Sequence, residues 1–311
     1  MAVTITSSTY AGEFAGKYIA AALLSADTIE GGGITVKPNV KYKEVMKTLS
    51  TNALVKDAAC DFADQSTVTL AERVLQPEEF QVNLELCKKD FHSDWEAVQM
   101  GYSAFDTLPP SFSDFLIGHI AAKVAQKMEE NIWQGANATA GEFDGFTVLL
   151  AADSDVVDAT TTETAITASN VIAELGKVVD AIPTAVYGKE DLYIYVSQHI
   201  ARSYVRALGG FGANGLGANG VNNGGTTWYN GGDLAFDGVK LFVCSGLPDG
   251  KMVAAQKSNL FFGTGLLSDH NEVKLIDMAD LDGSQNVRVV MRFTAGIQYG
   301  IGSDIVYYTT A

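Results

Sequence analysis

The sequence predicts an α+β protein: long strands and one very long helix in one part of the chain, and a compact unit of alternating helix and strand in another. Three observations carry this reading. An amphipathic pattern of about 24 residues marks a single helix of unusual length. Alternating strand text lies ahead of it and returns at the C-terminal end. Between them runs the order helix, strand, helix, glycine-rich loop, strands.

Residues 1–40 are rich in Thr, Ser, Ala and Gly, with a short helical patch over 11–24 and a GGG at 31–33 that predicts a flexible break. The segment reads as an arm and not as core. From residue 55 to 86 the pattern alternates, with Val68, Leu70, Val74, Phe80, Val82, Leu84 and Leu86 at mostly two-residue steps. Pro77 interrupts it. A long two-stranded ribbon is expected, with Glu72, Arg73, Glu78 and Glu79 near its charged tip.

The long helix is predicted over 111–134, entered through Pro109 and Pro110, with Ser111 as N-cap and Asp114 completing a capping box. Phe112, Phe115, Leu116, Ile120, Val124, Met128 and Ile132 form its apolar stripe, and Lys123, Lys127 and Glu130 its wet face. Gly135 ends it. A Thr-rich linker follows, then a second amphipathic helix carrying Val171, Ile172, Leu175, Val178, Val179 and Ile182, stopped by Pro183. After it come the buried strand LYIYV, the helix SQHIARSYVRAL, a glycine-rich loop over 209–232, and strands VKLFV, MVAAQ and LFF. VKLIDM, NVRVVMRFTAGIQYG and DIVYYT close the chain as antiparallel strands.

With 311 residues and 47% hydrophobic composition the chain can bury real cores. Its 37 acids against 21 bases give a net charge of -16, a sign that opposes wrapping a phosphate backbone. Cys60, Cys87 and Cys244 are an odd, widely spaced set that does not resemble a disulfide framework and suggests a reducing compartment. Neither a signal peptide nor a membrane anchor is read in the short apolar run near the start.

Chemical motifs fail on context. Gly210-x-Gly212-x-x-Gly215 and Gly215-x-Gly217-x-x-Gly220 have dinucleotide spacing, but a helix precedes them and turn-forming NNGGTTWYNGG follows. A turn-rich surface loop is expected instead, with Trp228 and Tyr229 packing against something, another chain included. Asp153, Asp155 and Asp158 imitate the start of a calcium loop but lack its glycine and its final glutamate. Cys87 and His92 have no second ligand pair. His119 reads as a structural histidine. The adjacent acids Glu78 with Glu79 and Glu129 with Glu130 diverge in direction and are expected on solvated faces. No catalytic residue, cofactor or metal site is predicted.

A marginal ribbon and an arm with little apolar text of their own need covering by neighbouring copies. Here the sequence resembles the major capsid proteins of tailed bacteriophages, the Hong Kong 97-type fold. The resemblance spans nearly the whole chain in element order. It is strongest in FQVNLELCKKDFHSDWEAVQMGYSAFDTLPPSFSDFLIGHIAAKVAQKMEENIWQG and in LAFDGVKLFVCSGLPDGKMVAAQKSNLFFGTGL. It implies an N-arm over 1–40, an E-loop with flanking strands over 41–90, a P-domain over 91–159 with its spine helix at 111–134, an A-domain over 160–268, and P-domain return strands over 269–311. It further implies pentamers and hexamers enclosing double-stranded DNA without sequence-specific binding. Portal, scaffolding and decoration proteins would be partners, and the location would be the virion after assembly in the host cytoplasm. In that setting Glu72, Arg73, Glu78, Glu79, Trp228 and Tyr229 are expected at subunit contacts. The chain departs from the family in two respects: no large helical segment is read ahead of the arm, so a fused scaffolding domain is expected to be absent or to have been removed beforehand, and no lysine lies between Lys56 and Lys88 to start a covalent cross-link from the ribbon. A nanocompartment shell of encapsulin type shares the expected element order, and a soluble α/β binding protein is the remaining alternative.

Overall fold

The computed structural model describes residues 7–11, 26–51, 55, 57, 60, 67–87, 110–160, 162, 165–209, 234–265 and 272–310. The helical patch over 11–24, His92, and the glycine-rich loop with Trp228 and Tyr229 lie wholly or almost wholly outside them.

Two six-stranded sheets and a separate ribbon organise the chain. The first sheet runs in the order β1 (Ser7–Ala11), β12 (Glu272–Asp277), β13 (Asn286–Tyr299), β11 (Leu260–Thr264), β2 (Thr35–Pro38), with β5 (Glu78–Cys87) also on β13. Strand β13 is its axis. Asn286 to Ala295 pair with β5, and Gly296 to Tyr299 pair with β11. Val287, Val289, Met291, Phe293 and Ala295 alternate inward and are buried, as period-two geometry requires.

Helix α2 (Pro110–Gln134) covers that face. Leu116, Ile120, Val124, Met128 and Ile132, all foreseen, join the same core as the inward residues of β13. The helix starts one residue earlier than expected: Pro110 is its first residue, a position where the missing proline N–H costs nothing. Ser111 therefore falls inside the first turn and is not the N-cap. A short helix α3 (Phe146–Ala152), absent from the sequence reading, follows.

The second sheet has the order β6 (Val157–Asp158), β14 (Val306–Thr309), β10 (Lys251–Gln256), β7 (Leu192–Ser197), β9 (Val239–Cys244), β8 (Ala235–Phe236). Its central strands are buried on both faces. Ile194, Val196, Met252, Ala254, Val306 and Tyr308 pack on one side with helices α4 (Val171–Asp180) and α5 (Gln198–Gly209). Tyr195, Val253, Ala255 and Tyr307 point the other way, into the core of α2 and β13. Double burial explains why LYIYV and MVAA are apolar without alternation.

Four expectations need correction. Strands β4 (Val68–Leu75) and β5 exist where the alternation placed them but do not pair with each other: β4 pairs with β3 (Glu44–Thr51), and β5 joins the first sheet. Pro77, which has no N–H to offer a ladder, marks the corner between two sheets. The last strand, β14, lies in the second sheet and not with the returning strands, while β11 lies in the first, so sheet membership crosses both ends of the 160–268 segment. The GGG at 31–33 is packed: a Cβ on either Gly31 or Gly33 would sit 2.8 Å from the Phe242 ring, so glycine is required for contact and not for flexibility. Ala26, Ile29 and Ile34 around it, with helix α1 (Asp27–Glu30), belong to the main core. Finally, Glu129 is not solvated; it is 3% exposed.

The turn after β9 presses on α2 so closely that a Cβ on Gly246 would lie 2.1 Å from the carbonyl oxygen of Glu129. Gly246→Ala should therefore destabilise by about 1–3 kcal/mol or more through overpacking. Gly176→Ala, inside α4 with nothing within 4 Å of the added methyl, should stabilise by roughly 0.5–1 kcal/mol. Urea unfolding midpoints of the two variants check both, and midpoints moving in the same direction would contradict this account.

Candidate assembly interface

The ribbon β3–β4 stands apart from both sheets, and its register fixes what each face carries. Val45 faces Val74, Lys47 faces Glu72, Leu49 faces Leu70 and Thr51 faces Val68; the intervening pairs belong to the opposite face. On the first face Val45, Leu49, Val68, Leu70 and Val74 are all exposed, Leu49 and Leu70 at 64% and 68%. The face carries five aliphatic side chains, Val45 with Val74 near the root and Leu49, Leu70 and Val68 beyond the Lys47–Glu72 pair, more than scattered surface apolarity supplies. Covering them would contribute on the order of 1 kcal/mol or more each.

At its root the ribbon is held firmly. Leu75 is fully buried and clusters with Val40 and Met46 against Phe261. Arg73, from the other face, pairs with Asp153 at the C-terminal end of α3 and lies 4.2 Å over the ring of Tyr299 on β13. The Tyr299 hydroxyl donates to the same Asp153 oxygen at 2.5 Å, and Gln298 Nε2 donates to the carbonyl of Val74 at 3.1 Å. Asp153 is thus an ionic anchor. The hydrogen bond from Tyr299 and the N–H of Asp155, with Arg73 behind them, hold its carboxyl down to about 2. Burial and the Asp153 bond push the Tyr299 hydroxyl up.

These contacts relocate the expected interface residues. Arg73, Glu78 and Glu79 sit at the ribbon's root and not at its tip. Arg73 is committed to Asp153 within its own chain. Glu78 accepts a hydrogen bond from Asn137 Nδ2 at 2.7 Å, and burial and nearby Asp144 raise its carboxyl. Glu79 is exposed on β5, paired with Thr294. Glu72 lies farther out, exposed, with Lys47 at 3.7 Å. The sequence reading caught Val68, Leu70 and Val74 by their alternation but missed β3, where the apolar beat is only Val45 and Leu49. It weighed Asp153 for calcium, whereas its partners are a cation and a phenol.

A second apolar surface lies between β5 and α2, a groove of about 410 Å³ lined by Phe80, Val82, Leu84, Ile120, Val124 and Met128. His119, exposed and not structural in its burial, shares its rim with Lys123 and Lys127. No group of three metal-ligating side chains occurs among the described residues, and no helix among them is long and apolar enough to cross a membrane.

No protein-family model matches the sequence, and no curated protein does. Solved structures do. The capsid of a native GTA particle is 12% identical, with a TM-score of 0.60 over 94% of this chain and 90% of that one. The capsid of the Myoviridae phage XM1 is 12% identical, with a TM-score of 0.57 over 92% of each chain. Mycobacterium phage Cain gives 14% identity and a TM-score of 0.59 over 92% and 90%. The fold is a phage capsid fold. It runs nearly end to end in this chain as in those capsid chains.

The anchor makes a pH prediction. Because the folded-state pKa of Asp153 is depressed, its contribution to stability is present above about pH 4 and is lost as pH falls toward 2. At this partly solvated site it should be on the order of 1 kcal/mol. Asp153→Asn should unfold at lower urea than the parent at neutral pH, with the gap closing in acid. A gap that stays constant to about pH 2 would show that charge is not what holds the root.

Proposed function

We propose that this chain is the major shell subunit of a tailed-phage capsid, assembling through pentamers and hexamers around double-stranded DNA. The observation that carries the reading is the ribbon: a capsid fold whose isolated two-stranded element exposes one apolar strip has no use for that strip as a monomer. In this layout the N-arm falls within residues 1–40, of which β1 and β2 pair into the first sheet and 26–34 packs in the main core, and the ribbon is the E-loop. The P-domain is the first sheet with α2 as spine helix, and the A-domain is the second sheet with α4 and α5.

Each E-loop would lay Val45, Leu49, Val68, Leu70 and Val74 over the P-domain of an adjacent subunit. The apolar groove between β5 and α2 is a suitable landing surface. Glu72 and Glu79 remain candidates for charge contacts between subunits, each worth about 0.2–1 kcal/mol and repeated around the shell. The glycine-rich loop with Trp228 and Tyr229 would line the capsomer axis, where portal-free vertices and hexamers demand different spacings. The net charge of -16 suits a container that confines DNA without adhering to it. Scaffolding, portal and decoration proteins are the expected partners.

Negative-stain microscopy of the expressed chain, alone and with its neighbouring gene products, tests this reading. Closed shells are expected from the parent. Leu49→Lys with Leu70→Asp, an opposite-charge pair across the ribbon, should abolish them while leaving the unfolding free energy of the unassembled subunit within about 0.5 kcal/mol, since both side chains are exposed. Shells that persist in the double variant would remove the ribbon from the assembly mechanism. Glu79→Lys should lower the thermal stability of assembled particles without changing that of the subunit. Arg73 reversal cannot report on subunit contacts alone, because it also breaks the root anchor.

A further inference from the structure

Glu129 on α2 is a buried carboxylate outside the interface, and three separate parts of the chain meet at it. It accepts hydrogen bonds from the N–H and hydroxyl of Thr28 on α1, at 2.9 and 2.5 Å, and a longer one from the N–H of Gly246 after β9, at 3.4 Å. Trp133, fully buried one turn along α2, donates its indole N–H to the same Thr28 oxygen at 2.8 Å. Beside this, Ser245 donates to the carboxylate of Asp27, and the Tyr195 hydroxyl donates to the carbonyl of Gly33. The segment 26–34 is thus wedged between the long helix and the second sheet, and Glu129 sits at the centre of the wedge.

The titratable groups facing Glu129 are Asp27 on α1 and the buried thiol of Cys244 on β9. Among the described residues no cation pairs with it. Its charge is therefore held by hydrogen-bond donors alone, in a site that lacks water's solvation.

We propose that Glu129 is a proton-controlled clasp that sets how firmly the segment 26–34 is seated between α2 and the second sheet. Two demands conflict at this carboxyl. The N–H and hydroxyl of Thr28 and the N–H of Gly246 all donate to it, with Trp133 donating in turn to the Thr28 oxygen, and this set of donors favours the ionised form. Burial calls for the neutral form, and Asp27 adds like charge. Burial is the larger effect, opposed by the bonds from Thr28 and Gly246, and it raises the carboxyl above its ordinary range. The sign follows from linkage: a carboxyl that binds its proton more tightly in the seated state than when released makes seating firmer as pH falls and weaker as pH rises. The clasp is firmest in acid and loosens as pH rises through the raised range of this carboxyl. This holds for the subunit whether or not it builds a shell.

Hydrogen exchange of the full chain, corrected for intrinsic rates, tests it from about pH 4, near the ordinary carboxyl value, upward to about pH 8. In the parent, the open population of 26–34 should rise with pH by no more than about tenfold per unit, the limit for one proton. Glu129→Gln should keep the shape, abolish that rise and stay as closed as the parent in acid. An equal rise in both proteins, or a Glu129→Gln variant more open than the parent at every pH, overturns the proposal. Thr28→Val removes one donor to the ionised form, so the transition should move to higher pH; this variant decides alone if Glu129→Gln does not fold. A transition that Thr28→Val leaves in place also overturns it.

Discussion

The length of one helix sets the terms for everything else. At 1.5 Å per residue the 25 residues of α2 run about 37 Å, and an apolar stripe that long must be dried along its whole course. The 14 residues of β13, at roughly 3.3 Å each, supply a strand of comparable reach. Strand β13 can be so long because it changes partners midway, from β5 to β11. The other face of the helix layer is closed by Tyr195, Val253, Ala255 and Tyr307, so the second sheet is attached to the first through the same core that dries the helix.

Once β5 is drawn into that sheet, β4 is left with β3 as its only partner among the described residues. The ribbon is the consequence. Its root is held by Leu75 in a small core and by Arg73 between Asp153 and the face of Tyr299. In the proposed assembly the fixed root would set the direction of the exposed apolar side chains inside one subunit, and a neighbouring subunit would cover them. The ionic anchor is well suited to this, since its carboxyl stays charged at any mildly acidic pH.

The attachment of the amino-terminal segment rests on different chemistry. Where the ribbon root uses an ion pair, the wedge at 26–34 uses a carboxylate that no described cation neutralises, under a tryptophan and against close glycine contacts. Asp153 is held below the ordinary carboxyl range by its donors, whereas burial raises Glu129 above it. Two junctions of one fold thus answer protons differently.

The amino-acid sequence by itself determined what local pattern can determine. The stripe at Leu116, Ile120, Val124, Met128 and Ile132 specified α2, and the alternation through Val68 to Leu86 specified two strands. The order of these elements was enough to suggest the capsid fold. Partner choice was not legible, because a period-two pattern states which face is apolar and never which strand lies alongside. Val68, Leu70 and Val74 therefore read the same whether β4 pairs with β5 or with β3. Burial of Glu129 and of the glycines at 31–33 was equally hidden: adjacent acids and a GGG both look solvent-facing until tertiary packing brings Thr28, Gly246 and Phe242 against them. Tertiary structure alone turned Asp153 from a calcium-like residue into the anchor of the ribbon, since Arg73 and Tyr299 are remote in sequence and meet only when β4 and β13 are in place.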